Sequence, residues 1–243
     1  MGILEEFQEA RKKFFSCLIF WLAASLFFFF FGPKSLFPSK EGSFAILFFG
    51  LLKKNLLPQN VKLVVLNPID PFLAQVIVSL VLGFFVSFPF FLTQSLNFIF
   101  PALFEKEKKL VLKILLPTVF LFFFGAVFGF FLILPATFKI LYSFATPLGA
   151  VSYLGIQEFL KWSFGITFVC GLIFLFPIFM ILLVRWKIIE SSFWKNHFKE
   201  ALIFFLFLSA LITPDTTGIT MILLTLPLTL LYFLAYNLSK VFK

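Results

Sequence analysis

Several apolar runs in this sequence are long enough to cross a lipid bilayer. The first, Phe14 to Phe31, carries no charged residue and approaches the roughly 20 apolar residues of a spanning α-helix. It is longer than the roughly 7 to 15 residues of a cleaved signal-peptide core, so we interpret it as a retained helix. Similar runs follow at Phe72–Leu92, Leu110–Leu134 and Phe164–Val184. With 13% charged residues and a mean hydropathy of +1.08, the chain is predicted to be a single all-α transmembrane domain, residues 1–243.

A final pair of shorter runs completes six predicted spans, which we number in chain order. Ala201–Ile212 and Ile219–Ala235 flank the turn Thr213-Pro214-Asp215. The apolar part of helix five would cover roughly 18 Å of a hydrocarbon core about 30 Å thick. Either the bilayer thins there or helix five begins earlier, near Phe193; mismatch of this size is tolerable.

Prolines and glycines mark where the other spans end or bend. The stretch from Gly32 to Pro71 has too many breakers for one span, and its apolar part, Ser43–Leu52, suits an interfacial or re-entrant helix. Pro89 falls near the end of helix two, and Pro177 predicts a kink in helix four. We expect a loop after Leu134, because it contains these helix-breaking residues: Pro135, Pro147 and Gly149.

The distribution of Lys and Arg predicts the orientation of the spans. The two tails and the loops Gln94–Lys113 and Arg185–Lys199 carry thirteen of these residues, whereas the three loops on the other side carry seven. Because cytoplasmic loops are enriched in Lys and Arg, both termini are predicted to be cytoplasmic. The first external loop holds five lysines and opposes this trend.

The sequence offers little support for catalysis, metal binding or nucleic-acid binding. The net charge of +9 is spread between apolar runs rather than gathered on one soluble face, which argues against nucleic acid. His197 lacks a second ligand at metal-binding spacing and is expected to be a surface loop residue. Cys17 and Cys170 lie in separate apolar runs and are expected to be inert core thiols. We therefore expect no enzyme activity, no cofactor and no metal.

Polar residues at three predicted membrane borders each have an ordinary structural explanation. Glu9 and Lys13 would form an i, i+4 pair in an amphipathic segment before helix one. The segment from Asn97 to Lys109 could be a charged turn. Asp215 could be the N-cap of helix six, where a carboxylate accepts from free N–H groups and opposes the positive end of the helix dipole.

Taken together, these segments resemble the TatC family, the multispanning core subunit of the twin-arginine protein translocase. Glu9-Ala10-Arg11-Lys12-Lys13 is similar to the family's Glu-Leu-Arg-x-Arg signature, and Asn67-Pro68-Ile69-Asp70-Pro71-Phe72 to its proline and acid motif before helix two. Phe98-Ile99-Phe100-Pro101-Ala102-Leu103, followed by Glu107-Lys108-Lys109, resembles its most specific loop. Thr213-Pro214-Asp215 with Leu226-Pro227-Leu228 resembles its final hairpin of two short helices.

The chain departs from the family pattern at four positions. Leu175 stands where the family usually has Glu or Gln before the proline of helix four. Phe233 replaces an acid, Glu6 a frequent histidine, and Lys13 the second arginine of the N-terminal signature. An acid buried in lipid is costly and usually functional. Its absence at Leu175 therefore predicts a divergent member with altered contact to a single-span partner.

The resemblance implies a receptor for twin-arginine signal peptides of folded cargo proteins, in an energised membrane. Glu9, Phe98 and Glu107 would form the signal-peptide site, with these supporting residues: Arg11, Lys13, Pro101 and Asp215. The implied partners are single-span TatA- and TatB-type subunits, membrane lipids and further copies of this chain within a hetero-complex, without nucleic acid. The implied location is the bacterial cytoplasmic (inner) membrane, ahead of an organellar one.

Two alternatives from other classes remain open on the residues alone. A small-molecule transporter would show charges inside its spans or broken helices in repeated halves, and the predicted spans show almost no charges and no repeat. A scaffold or assembly subunit of another membrane complex would be equally apolar, but would lack paired cytoplasmic carboxylates as a binding site.

Overall fold

In the computed structural model, apolar helices account for most of the chain. The structure describes residues 3–32, 42–58, 60–99, 105–145, 147, 152–213 and 217–241, and only the backbone of 3–10, 97–99, 105–111 and 241. The helices and strands, in order, are α1 (Ile3–Phe30), α2 (Phe44–Leu56), β1 (Val61–Val64), α3 (Asp70–Ile99), α4 (Glu105–Phe128), a π-helical turn (Gly129–Ile133), α5 (Leu134–Ser143), β2 (Ser152–Gly155), α6 (Ile156–Ile173), α7 (Phe176–Arg185), α8 (Ser191–Asn196), α9 (Phe198–Ile212) and α10 (Ile219–Val241). Strands β1 and β2 pair as a two-stranded sheet.

Five helical segments of the described chain are long and apolar enough to cross a membrane. These candidate spans are Arg11–Phe30, Asp70–Leu96, Leu112–Ser143, Ile156–Arg185 and Ile219–Lys240. The remaining predicted span, α9, has 15 residues and covers about 22 Å. Helix five is therefore short, as expected, but helix six is not: α10 runs for 23 residues, to Val241 instead of Ala235.

The predicted loop after Leu134 is wrong, because the helix continues through Pro135 to Ser143. A proline in a regular α-helix lacks the N–H for its hydrogen bond and clashes with the carbonyl four residues earlier. Here the π-helical turn Gly129–Ile133 widens the helix directly before Pro135, which occupies the first turn of α5. A proline is tolerated at that position because no donor is required there.

The other helix boundaries also differ from the predicted ones. Predicted helix two corresponds to α3, which extends to Ile99. Predicted helix four corresponds to α6 and α7 and begins at Ile156, eight residues before Phe164. The kink predicted at Pro177 is confirmed as a break at Phe174–Leu175, with Pro177 in the first turn of α7. Predicted helix five corresponds to α9. It does not begin near Phe193, since His197 separates α8 from α9.

The first of two compact units contains α1, α3, most of α2 and the adjoining parts of α4 and α6. Helices α1 and α3 pack together, and Gly83 allows their close approach, because a Cβ there would overlap the backbone of Ser25. Gln75 of α3 donates to the Phe29 carbonyl and to the Ser43 hydroxyl, both at 3.1 Å, and so joins α3 to α1 and to the start of α2.

The second compact unit contains the π-helical turn, α5, most of α6 and helices α7 to α10. A Cβ at Gly129 would lie 2.8 Å from the Cβ of Cys170, so glycine is needed where the π-helical turn packs against α6. Tyr232 of α10 is buried and donates its hydroxyl to the Trp194 carbonyl of α8. Cys17, in the first unit, and Cys170 are both buried free thiols, as predicted.

Candidate functional site

The segments that carry the predicted site residues Glu9 and Phe98 lie at one end of the α1–α3 pair, because these helices run antiparallel. Gln75 near the start of α3 bonds to Phe29 near the end of α1. Towards the other end, the rings of Phe20 and Phe90 are in contact, with centroids 4.9 Å apart. Earlier residues of α1 thus meet later residues of α3. The turn of α1 that carries Glu9 consequently lies level with the last turns of α3, which carry Phe98.

Glu107 belongs to the first turn of α4, which begins at Glu105. Helix α3 ends at Ile99, and the six chain steps between Ile99 and Glu105 can span at most about 22 Å. The start of α4 therefore lies within about 22 Å of the end of α3. The backbone places the segments that carry Glu9 and Phe98 at a common end of the first unit. The side chains of Glu9, Phe98 and Glu107 and the whole of Pro101 lie outside the described residues.

The basic residues of α1 stand at the same end. Arg11 and Lys12 are exposed, whereas Lys13 is half-buried and engaged by a neighbouring group. Arg11 and Lys12 line one end of an open groove of about 730 Å³, which lies along α1 and is bordered by Phe90 of α3. The groove continues along these side chains: Phe15, Ser16, Ile19, Phe20, Ala23 and Phe90. The sequence prediction missed this groove, although the i, i+4 spacing of its α1 residues indicates a common helix face.

Asp70 of the proline and acid motif has a structural role at the opposite end of α3. Its carboxylate is buried and accepts hydrogen bonds from the backbone N–H groups of Leu66 and Asn67, at 3.1 and 2.9 Å. Gln157 at the start of α6 donates to the Asp70 carbonyl at 3.3 Å. The motif thus closes the turn that starts α3 and joins it to α6 within the first unit.

Two other predicted positions lie in the second unit. Asp215 is outside the described residues, but α10 begins at Ile219 and the Gly218 carbonyl accepts from the Ile222 N–H. Gly218, with a φ of 73°, directly precedes the helix, and the N-cap role expected of Asp215 stays a prediction. Leu175 is half-buried in the turn between α6 and α7.

Among the described side chains, no group of three His, Cys, Asp or Glu residues could hold a metal ion. His197 is exposed, as expected for a surface residue, and its ring stacks on Phe193.

Sequence comparison identifies relatives along almost the whole chain. The model of the family described as "Sec-independent protein translocase protein (TatC)" matches residues 5–227. A protein of that name from Aquifex aeolicus is 29% identical over 243 residues, covering 99% of this chain and 95% of the relative. Another, from Koribacter versatilis, is 31% identical over 179 residues, covering 73% of this chain and 65% of the relative.

Solved structures show the same fold. A crystal structure of the "Twin Arginine Translocase Receptor- TatC" superposes with a TM-score of 0.73 at 28% sequence identity, covering 98% of this chain and 99% of the other. The crystal structure of that receptor in DDM gives a TM-score of 0.75, covering 96% and 99%.

Proposed function

Because this chain belongs to the TatC family, we propose that it is the signal-peptide receptor of a twin-arginine translocase, which exports folded proteins across an energised membrane. The observation that carries the proposal is the antiparallel packing of α1 and α3, which supports a shared site for Glu9 and Phe98; the short connection from α3 to α4 allows Glu107 to join it. Family membership excludes the scaffold and small-molecule transporter alternatives from other families.

The recognition chemistry follows from the two adjacent guanidinium groups of the signal peptide. Each guanidinium can form a planar, bidentate pair with a carboxylate, an interaction that a lysine ammonium cannot reproduce. Glu9 from α1 and Glu107 from α4 supply the two acceptors, and Phe98 shapes the site between them. The apolar stretch of the peptide then continues along the membrane-embedded part of the chain.

The supporting residues have different roles. Arg11 and Lys13 have the same charge as the peptide arginines, so they act by holding the carboxylates or by binding anionic headgroups. Pro101 would fix the loop between α3 and α4, and Asp215 would order the turn between α9 and α10.

The orientation proposed for the chain is six spans with both termini in the cytoplasm. The excess of Lys and Arg in the tails and in the Gln94–Lys113 and Arg185–Lys199 loops supports it. This orientation gives the receptor site access to cytoplasmic precursors. It requires α9 to cross as a short sixth span, with local thinning of the bilayer.

The proposed partners are single-span TatA- and TatB-type subunits and further copies of this chain. The transmembrane ion gradient drives transport, and this subunit performs no enzymatic step and uses no cofactor. With Leu175 in place of the usual acid, contact with the single-span subunit at the α6–α7 turn relies on apolar packing.

The direct test is capture of a twin-arginine precursor by the detergent-solubilised chain. A precursor with two arginines in its signal should co-purify, whereas the same precursor with two lysines should be captured much less. Equal capture of both precursors would contradict the proposed receptor function.

A further inference from the structure

The groove between α1 and α3 is charged at one end and, apart from Ser16, apolar along the rest of its length. Its α1 residues repeat at i, i+4 spacing from Arg11 to Ala23, so they share one face of the helix. Phe15 and Ile19 are 53% and 63% exposed. The contact between Phe20 and Phe90 closes one side.

The length of the groove matches one leaflet of a bilayer. Twelve residues separate Arg11 from Ala23, which corresponds to about 18 Å along the helix. Half of the hydrocarbon core measures about 15 Å. With Arg11 and Lys12 at headgroup depth, the apolar part of the groove therefore ends near the middle of the bilayer.

We infer that this groove is a binding site for a phospholipid with an anionic headgroup. The headgroup phosphate contacts Arg11 and Lys12, and one acyl chain lies along Phe15, Ile19 and Ala23. The charges are complementary, and a guanidinium can bind two phosphate oxygens at once. Glu9 precedes Arg11 by two residues, about 200° around the helix, so the phosphate binds on the side of Arg11 and Phe15, away from the position of Glu9. The inference goes beyond the receptor function and requires no signal peptide.

The test uses the full chain in phosphatidylcholine vesicles that contain a minor fraction of phosphatidylglycerol with a photoactivatable group on its acyl chain. After irradiation, the lipid should label segments that contain Ile19, Ala23 or Phe90. A phosphatidylcholine probe with the same acyl chain should label these segments several-fold less. Equal labelling by the two probes would overturn the assignment to an anionic lipid.

Two variants separate the contributions of charge and shape. Replacing both cations, Arg11→Gln with Lys12→Gln, should weaken phosphatidylglycerol binding by about thirtyfold, because each cation near an anionic surface contributes roughly a factor of five. The matched control, Lys139→Gln with Lys161→Gln, removes two exposed charges outside the groove and should leave labelling intact. Ala23→Phe should reduce labelling by filling the groove without a change of charge.

The outcomes of the labelling test can be distinguished from those of the test of the receptor site. Unchanged labelling in both groove variants, with thermal unfolding like that of the wild type, would overturn the lipid site. Displacement of the labelled lipid by an added twin-arginine peptide would assign the groove to the peptide and also overturn it. Because the labelling assay contains no peptide, its failure would leave the proposed role of Glu9 and Glu107 standing.

Discussion

Trp21 of α1 donates its indole N–H to the backbone carbonyl of Leu80 in α3 at an N···O distance of 2.8 Å. In a lipid environment no water competes for either group, so the bond stabilises the contact between the two helices. The next turn of α1 brings Ser25 against Gly83. These two contacts fix the antiparallel register that places the start of α1 beside the end of α3.

The close approach at Gly83 gives the first prediction. A Cβ at this position would lie 2.8 to 2.9 Å from the backbone of Ser25, so α1 and α3 would have to separate. We expect Gly83→Ala to lower the free energy of unfolding by about 1 to 3 kcal/mol, the usual cost of overpacking. Thermal unfolding in detergent measures the loss.

Gly165→Ala is the matched control for this change. Gly165 also lies inside a helix, but a Cβ there meets nothing within 4 Å. Because alanine is the better helix former, Gly165→Ala should be neutral or stabilising by up to about 1 kcal/mol. Equal destabilisation by the two variants would show that helix contact at Gly83 is not the cause.

The α1–α3 register also shows which features the sequence could and could not reveal. Apolar runs locate the spans because the bilayer imposes a minimum length. They cannot show that Pro135 continues a helix, because that depends on the π-helical turn before it. The start of helix four was missed because Gln157, Glu158 and Lys161 are unlike span residues. Motifs indicated Glu9 and Phe98, but the placement of their segments at a common end depends on contacts between residues far apart in sequence.

The second prediction concerns the side of the membrane on which each loop lies. Reporter fusions after Lys243 and in the loop around Pro147 should report opposite sides, since the Lys and Arg excess places the C-terminus in the cytoplasm. A fusion near Ile188 should report the same side as Lys243, because α9 and α10 together cross twice. Reporters at Lys243 and Pro147 on the same side would contradict the six-span orientation.

The third prediction concerns Leu175, in the turn between α6 and α7. If the missing acid weakens contact with a single-span partner, Leu175→Glu should increase cross-linking between this turn and that partner. Insertion of an acid at a helix centre costs about 2.5 to 3.5 kcal/mol, which a helix bundle can tolerate.

Phe179→Glu is the control, since it places the same acid one turn further along α7, at a side chain that is 54% exposed. It should not increase cross-linking to the partner. Unchanged or weaker cross-linking of a correctly inserted Leu175→Glu chain would mean that the contact runs through other residues.

The fourth prediction is that Glu9 and Glu107 jointly bind the arginine pair of the signal peptide. Hydrogen bonds to charged groups contribute roughly 1.5 to 3 kcal/mol each, so loss of both contacts should weaken binding by about a hundredfold to ten-thousandfold. Exposure and salt favour the lower end of that range. The measurement is the dissociation constant of a twin-arginine peptide for wild type, Glu9→Gln, Glu107→Gln and the double variant. Glutamine keeps the size and one acceptor oxygen of glutamate, so a loss of affinity reports the loss of charge rather than a change in packing.

Two controls test whether charge at these positions is what matters. Glu158→Gln with Glu190→Gln removes two exposed carboxylates elsewhere in the chain and should leave the dissociation constant unchanged. A twin-lysine peptide should bind wild type more weakly than the arginine peptide, because an ammonium lacks the bidentate fork. In the double variant this preference for arginine should decrease, since the two carboxylates that can bind a guanidinium in a bidentate geometry are gone. A folded double variant that binds the arginine peptide as tightly as wild type would show that the arginines bind elsewhere.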